Sequence, residues 1–262
     1  MPAALGILTA SLVVCLGLAG PAQAAPSAKL RVTFSPDRLG DTTNVEFDVD
    51  IAAPAGRVPP PLTRLQLRYP RELGFAISGL GLETCTQQRL EAFGPASCPA
   101  DSHMGKGSAL AEVPFGPEIA RETAEVAILR APEDKGHIGL LFFADAHWPV
   151  STEVAFPGVL LPAPPPQDES IAITVPLVPS LPEGPDVAIV ELHARLGPRG
   201  LTYYEHTHGK LLAYHPEGIL LPKRCPKGGF AFTATLTFHD AGRTHIAASV
   251  PCAARPSAAS SG

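Results

Sequence analysis

Alternation with a period of two dominates the chain. Val45, Phe47, Val49 and Ile51 alternate with Glu46, Asp48 and Asp50, and Phe230, Phe232, Ala234, Leu236 and Phe238 alternate with Thr233, Thr235, Thr237 and His239. Successive side chains of a strand point to opposite faces, so each run predicts a strand with one face in a core. Leu30, Val32 and Phe34, then Leu65 and Leu67, mark two more, and further strands are expected over 124–130, 170–177, 187–196 and 245–250. Ile138 to Phe143 is apolar on both faces apart from Gly139, which predicts a central strand. With turn residues between nearly all of these runs, the expected class is all-β: antiparallel sheets packed as a β-sandwich.

One short helix is expected. Thr86 caps it, Gln87 to Phe93 form two turns, and Gly94-Pro95 stop it. Cys85 and Cys98 flank this segment, so a bridge between them closes a small lobe. A hairpin turning at Asp240-Ala241-Gly242 brings Cys252 back toward Cys225. Four cysteines allow three connectivities; proximity favours the two local pairs.

The apolar run from Ile7 to Ala19, followed by Ala22-Gln23-Ala24, reads as a secretory signal peptide cleaved before Ala25. Its departure from the usual pattern is that Met1 to Ala10 contains no lysine or arginine. Lipidation at Cys15 is the weaker alternative, because the apolar run continues beyond it. Removing residues 1–24 takes away Cys15 and leaves four cysteines, an even number suited to disulfides in an exported chain. Zinc is disfavoured because neither pair has the C-x-x-C spacing of a zinc knuckle. No later segment is apolar for long enough to form a membrane-spanning helix. One β domain over 25–252 is expected, with a subdivision near 162–170 as the alternative, the proline-rich stretches Pro162 to Pro166 and Val175 to Pro185 as linker candidates, and a disordered tail over 253–262.

A net charge of −5 with six unclustered lysines argues against a nucleic-acid partner or an anionic membrane surface. Glu46, Asp48 and Asp50 share one strand face and suggest calcium, but Arg31, Arg64 and Arg68 on neighbouring strands account for them better as a cross-strand charge ladder. Gly105-Lys106-Gly107-Ser108 lacks the spacing of a phosphate loop, and its glycines are expected to make a turn before a strand that starts at Ala109. There is neither a G-x-S-x-G elbow nor an H-E-x-x-H motif.

The candidate binding segment is Tyr203, Tyr204, His206 and His208 with Tyr214 and His215, which gathers three of the four tyrosines and three of the nine histidines. Extended, it would put Tyr204, His206 and His208 on one face, a geometry open to a metal or to the flat face of a sugar. A solvated polar strand is the preferred reading, so no metal, cofactor or catalytic residue is assigned.

Two longer patterns carry a resemblance. The first runs from Cys85 through Leu90, Gly94-Pro95, Cys98-Pro99, Ser102, Gly105, Gly107-Ser108-Ala109 and on to Val113-Pro114-Phe115-Gly116-Pro117-Glu118. The second runs from Tyr214-His215-Pro216 through Gly218-Ile219, Pro222, Cys225-Pro226 and Gly228-Gly229-Phe230 to Phe232. Together they resemble a group of secreted proteins from high-GC actinobacteria. The resemblance implies export and transfers no activity and no catalytic residue. The expected function is therefore a non-enzymatic binding or structural role outside the cytoplasm or at the cell envelope, with an envelope glycan or protein as partner. The alternative is a hydrolase or metal-dependent enzyme acting on envelope glycans through the Tyr203 to His215 segment.

Overall fold

The computed structural model describes residues 25–53, 57–73, 83–115, 118–147, 151–179, 184–197, 202–215 and 218–252. The predicted leader 1–24 and tail 253–262 lie outside them. The described chain is mostly antiparallel β-structure. Its strands are β1 (Ser27–Ser35), β2 (Thr42–Ala52), β3 (Leu62–Pro70), β4 (His103–Phe115), β5 (Glu118–Asp134), β6 (His137–Ala146), β7 (Thr152–Pro162), β8 (Asp168–Thr174), β9 (Ala188–Leu196), β10 (Tyr203–Thr207), β11 (Lys210–Tyr214), β12 (Ile219–Leu220), β13 (Phe230–Phe238) and β14 (Gly242–Val250).

One sheet contains nearly all of them, in the order β1-β2-β9-β4-β5-β6-β7-β8-β3-β13-β14, with β12 added to β2. The two ends of this path come together: β1 lies beside β14, and the Thr244 hydroxyl donates to the Pro26 carbonyl at 2.6 Å. The sheet is thus nearly closed and barrel-like, with one interior. The strands expected from alternation are all present, and their apolar positions face that interior. Phe47 opposes Val32 on one side and Ala194 on the other, and Leu67 opposes Ala234 and Ile171.

One end of the interior is solid. Phe34 meets Phe230 edge-on at 5.0 Å between ring centres, Phe47 meets Phe232 at 5.8 Å, and Tyr69, Leu73, Ile219 and Leu221 are buried with them. Edge-to-face pairs of this kind add to the area burial that dominates core stability.

The predicted helix forms as α1 (Gln87–Phe93). Thr86 Oγ1 accepts from the Arg89 N–H at 3.3 Å, and Gly94, at φ 70°, donates its N–H to the Leu90 carbonyl. Leu90 is fully buried against Leu129, Leu141, Phe143 and the Cys85–Cys98 bridge. This lobe covers the outer face of β5 and β6, which is why β6 is apolar on both faces: Leu140 and Phe142 point inward, Leu141 and Phe143 point into the lobe. The second bridge joins Cys225 to Cys252 across a Cα separation of 6.0 Å, at the foot of the β13–β14 hairpin.

Three local expectations change. Gly105 and Gly107 lie inside β4 rather than in a turn before it. A Cβ at Gly105 would meet the Arg195 carbonyl oxygen and one at Gly107 the His193 carbonyl oxygen, so glycine lets β4 approach β9 closely. Arg31 meets Asp48 at 3.7 Å and Arg195 meets Glu46 at 3.6 Å, as a charge ladder requires. Arg64 and Arg68, however, sit on β3 between β8 and β13 and belong to a different part of the sheet. The proline stretch after Pro162 is the turn of the β7–β8 hairpin.

Candidate functional site

The other end of the interior is not filled. Inward positions along one wall are small: Ala109 and Ala111 on β4, Ala120 and Ala124 on β5, Ala144 and Ala146 on β6, Gly158 on β7 and Ala194 on β9. The facing wall is built of Leu30, Val49, Leu62, Leu65, Leu67 and Ile173. Large residues on one side do not reach the small ones on the other, and a cavity of about 530 Å³ remains. Protein interiors ordinarily close such voids, because atoms lining a gap lose their dispersion contacts. This volume falls within the ~300–1,000 Å³ of small-molecule sites.

Its position follows from the topology. β8 and β9 are five places apart in the order of the barrel-like sheet, so their connection joins distant parts of it. Val175, Pro176, Val178, Pro179 and Val187, from the described parts of that connection, line the cavity. The Val187 N–H donates to the Val178 carbonyl at 2.9 Å, and the Val175 N–H to the Thr63 carbonyl at 2.9 Å, which ties the crossing segment to itself and to β3. The stretch 175–185, expected to be a linker, is in its described part an apolar strap over the site.

Polar groups on this lining are few. Glu122, 8% exposed, is directly opposite Ala111 and shares the inward face of β5 with Ala120, Ala124, Val126 and Ile128. Thr152, opposite Ala146, adds a hydroxyl near the same end. Neither lysine nor arginine is among the described lining residues. A lining so largely apolar suits apolar guests.

A second group of residues lies on the outside of the sheet. Ser108, His193 and Asp48 stand in a row across β4, β9 and β2, with His193 Nδ1 2.7 Å from Asp48 Oδ1. The residue types are those of a hydrolase triad, but all three strands are paired on both edges, so their N–H groups are taken by the ladder and supply no oxyanion donors. The row instead continues the surface charge ladder from Arg31.

The segment singled out from the sequence is a separate two-stranded hairpin, β10–β11. Tyr203 pairs with Tyr214, Tyr204 with Ala213 and His206 with Leu211. The extended run stops at Thr207: His208 occupies the turn at φ 50°, so it does not continue the Tyr204 and His206 face. Tyr204 and His208 are exposed, and His215 Nδ1 lies 3.0 Å from the Thr202 hydroxyl. The side chains of Tyr203, His206 and Tyr214 lie outside the described residues. Among the described residues no group of three His, Cys, Asp or Glu is placed to hold a metal ion. The cavity was missed because its signal, alanine recurring every second residue at 109 and 111 and again at 144 and 146, looks like an ordinary weak strand until the register is known.

No protein-family model matches the chain, and no curated protein or solved structure matches it either. Among the described residues no helix is long and apolar enough to cross a membrane.

Proposed function

We propose that this protein binds a small apolar molecule inside the barrel and acts as a non-enzymatic carrier or scavenger of it outside the cytoplasm. The observation that carries the proposal is the 530 Å³ cavity framed by rows of alanine on one wall and by leucine, valine and isoleucine on the other. The reading takes the sheet as a flattened barrel around one interior rather than as the two packed layers of a sandwich; the strand order and the adjacency of β1 and β14 support it. Barrels of about eight strands have just enough room for one small ligand, and additional strands widen the interior.

The lining also favours a long ligand over a round one. It follows β5 from Ala120 to Ile128, about 27 Å of strand at ~3.4 Å per residue, whereas a sphere of 530 Å³ would be only about 10 Å across. A molecule with a hydrocarbon chain suits that extent. Two disulfides, and the apolar run from Ile7 to Ala19 with the Ala22-Gln23-Ala24 site after it, support an oxidising compartment.

Titration with pyrene, whose emission reports the polarity of its surroundings, tests the binding reading. The expected result is saturable uptake into an apolar environment, lost in an Ala144→Phe variant that keeps its circular dichroism spectrum. Absence of uptake by the folded wild-type protein, or equal uptake by the variant, would contradict it.

A further inference from the structure

We infer that the seam where the sheet closes, between β1 and β14, is the door through which the ligand enters and leaves the cavity; the inference rests on the binding function proposed above. Every ladder on the path from β1 to β14 is antiparallel, and the path has an odd number of strands. Strand direction alternates along such a path, so β1 and β14 meet running the same way. The closing pair cannot be one more antiparallel ladder, and a parallel ladder is the less stable kind. Neither forms: β1 lies beside β14, but among the described residues no backbone ladder joins them. The tie across the seam is the side-chain bond from Thr244 Oγ1 to the Pro26 carbonyl, near the start of both strands.

Packing makes the seam thin where the cavity reaches it. Thr244, Ile246, Ala248 and Val250 share the inward face of β14 with their buried partners on β13. Ala28, Leu30, Val32 and Phe34 are the inward residues of β1. Toward the solid end Val32, Phe34 and Val250 are buried. Toward the Pro26–Thr244 tie Ala28, Leu30, Thr244 and Ile246 are only half-buried, and Leu30 belongs to the cavity wall. Every other strand of the path is held by ladders on both edges, so parting two of them would break a row of backbone hydrogen bonds. Parting β1 from β14 breaks the Thr244 bond and separates a few apolar side chains, a local opening well short of unfolding. A hydrocarbon ligand meets apolar groups on both lips of that opening.

The experiment closes the seam covalently. Lys29→Cys and Ala247→Cys put thiols at exposed positions, each three residues beyond the tie, and a short bismaleimide staples them together. The control staples Lys29→Cys to Asp50→Cys, register partners that the β1–β2 ladder already holds. Stopped-flow uptake of pyrene is expected to slow by about 10-fold or more when the seam is stapled and to keep its rate in the control. Thr244→Val, which removes the tie, is expected to speed uptake. Equal rates for the two stapled proteins would overturn the inference and route the ligand through an end of the barrel, with the binding function left in place. Where the seam variant does not fold, an uptake rate unchanged by Thr244→Val overturns it instead. Absence of uptake by the folded wild-type protein would count against the binding function itself.

Discussion

Phe142 and Phe156 lie stacked, 5.4 Å between ring centres and 12° from parallel, across the β6–β7 ladder on the wall of the cavity. Gly158 beside them makes this possible: a Cβ there would come within 2.7 Å of the Phe142 ring. Gly158→Ala should therefore displace Phe142 into the cavity, costing about 1–3 kcal/mol in a urea titration and weakening pyrene uptake. An unchanged midpoint with unchanged uptake would mean that the ring does not bound the site.

The bridges are local and structural. Non-reducing peptide mapping should recover Cys85 linked to Cys98 and Cys225 linked to Cys252. Replacing Cys225 and Cys252 together by serine should lower stability by about 2–5 kcal/mol, because the unfolded chain regains the freedom of a long loop. A cross-link from either of the first pair to either of the second would contradict the placement of the lobe and the hairpin.

Two titratable groups, the buried Tyr69 and the half-buried His103, bound the pH range of stability. Burial, reinforced by the charge of Glu169 and a hydrogen bond to it, pushes the Tyr69 hydroxyl well above its ordinary value. The unfolded chain then loses this proton before the folded one, so stability is full below the ordinary phenol value and falls as pH rises past it. Burial lowers the His103 imidazole, partly offset by a backbone hydrogen bond with Pro95. There the unfolded state takes up the proton first, so stability falls as pH drops below the ordinary histidine value. Urea midpoints measured across pH should show both limbs, and Tyr69→Phe should flatten the alkaline one. An alkaline limb unchanged by that substitution would assign it to other groups.

Export predicts a mature N-terminus at Ala25, readable by mass spectrometry of secreted material. Intact Met1 in protein recovered from the cytoplasm would contradict both the compartment and the setting for the disulfides.

Local chemistry was legible in the sequence wherever it acts over a few residues. The caps of α1 at Thr86 and Gly94, the alternation in β2 and β13, and the proximity of each cysteine pair are short-range features. Closure of the sheet was not legible, because it depends on β9 pairing between β2 and β4 and on β3 pairing between β8 and β13, partners far apart in the chain. β7 escaped notice because Pro157 and Gly158 look like a turn, yet both sit within its ladders. Glu122 escaped for the same reason as the cavity. Whether a carboxylate on a strand faces water or the interior is decided by register, and a slip of one residue exchanges the two faces.

The most direct test of the central claim is a crystal structure of the protein grown with dodecan-1-ol. The account predicts a continuous chain of density inside the barrel, between Ala124 and Ala144 on one wall and Leu65 on the other. An interior without ligand density, with the alcohol found instead on the exposed hairpin at Tyr204, would contradict it.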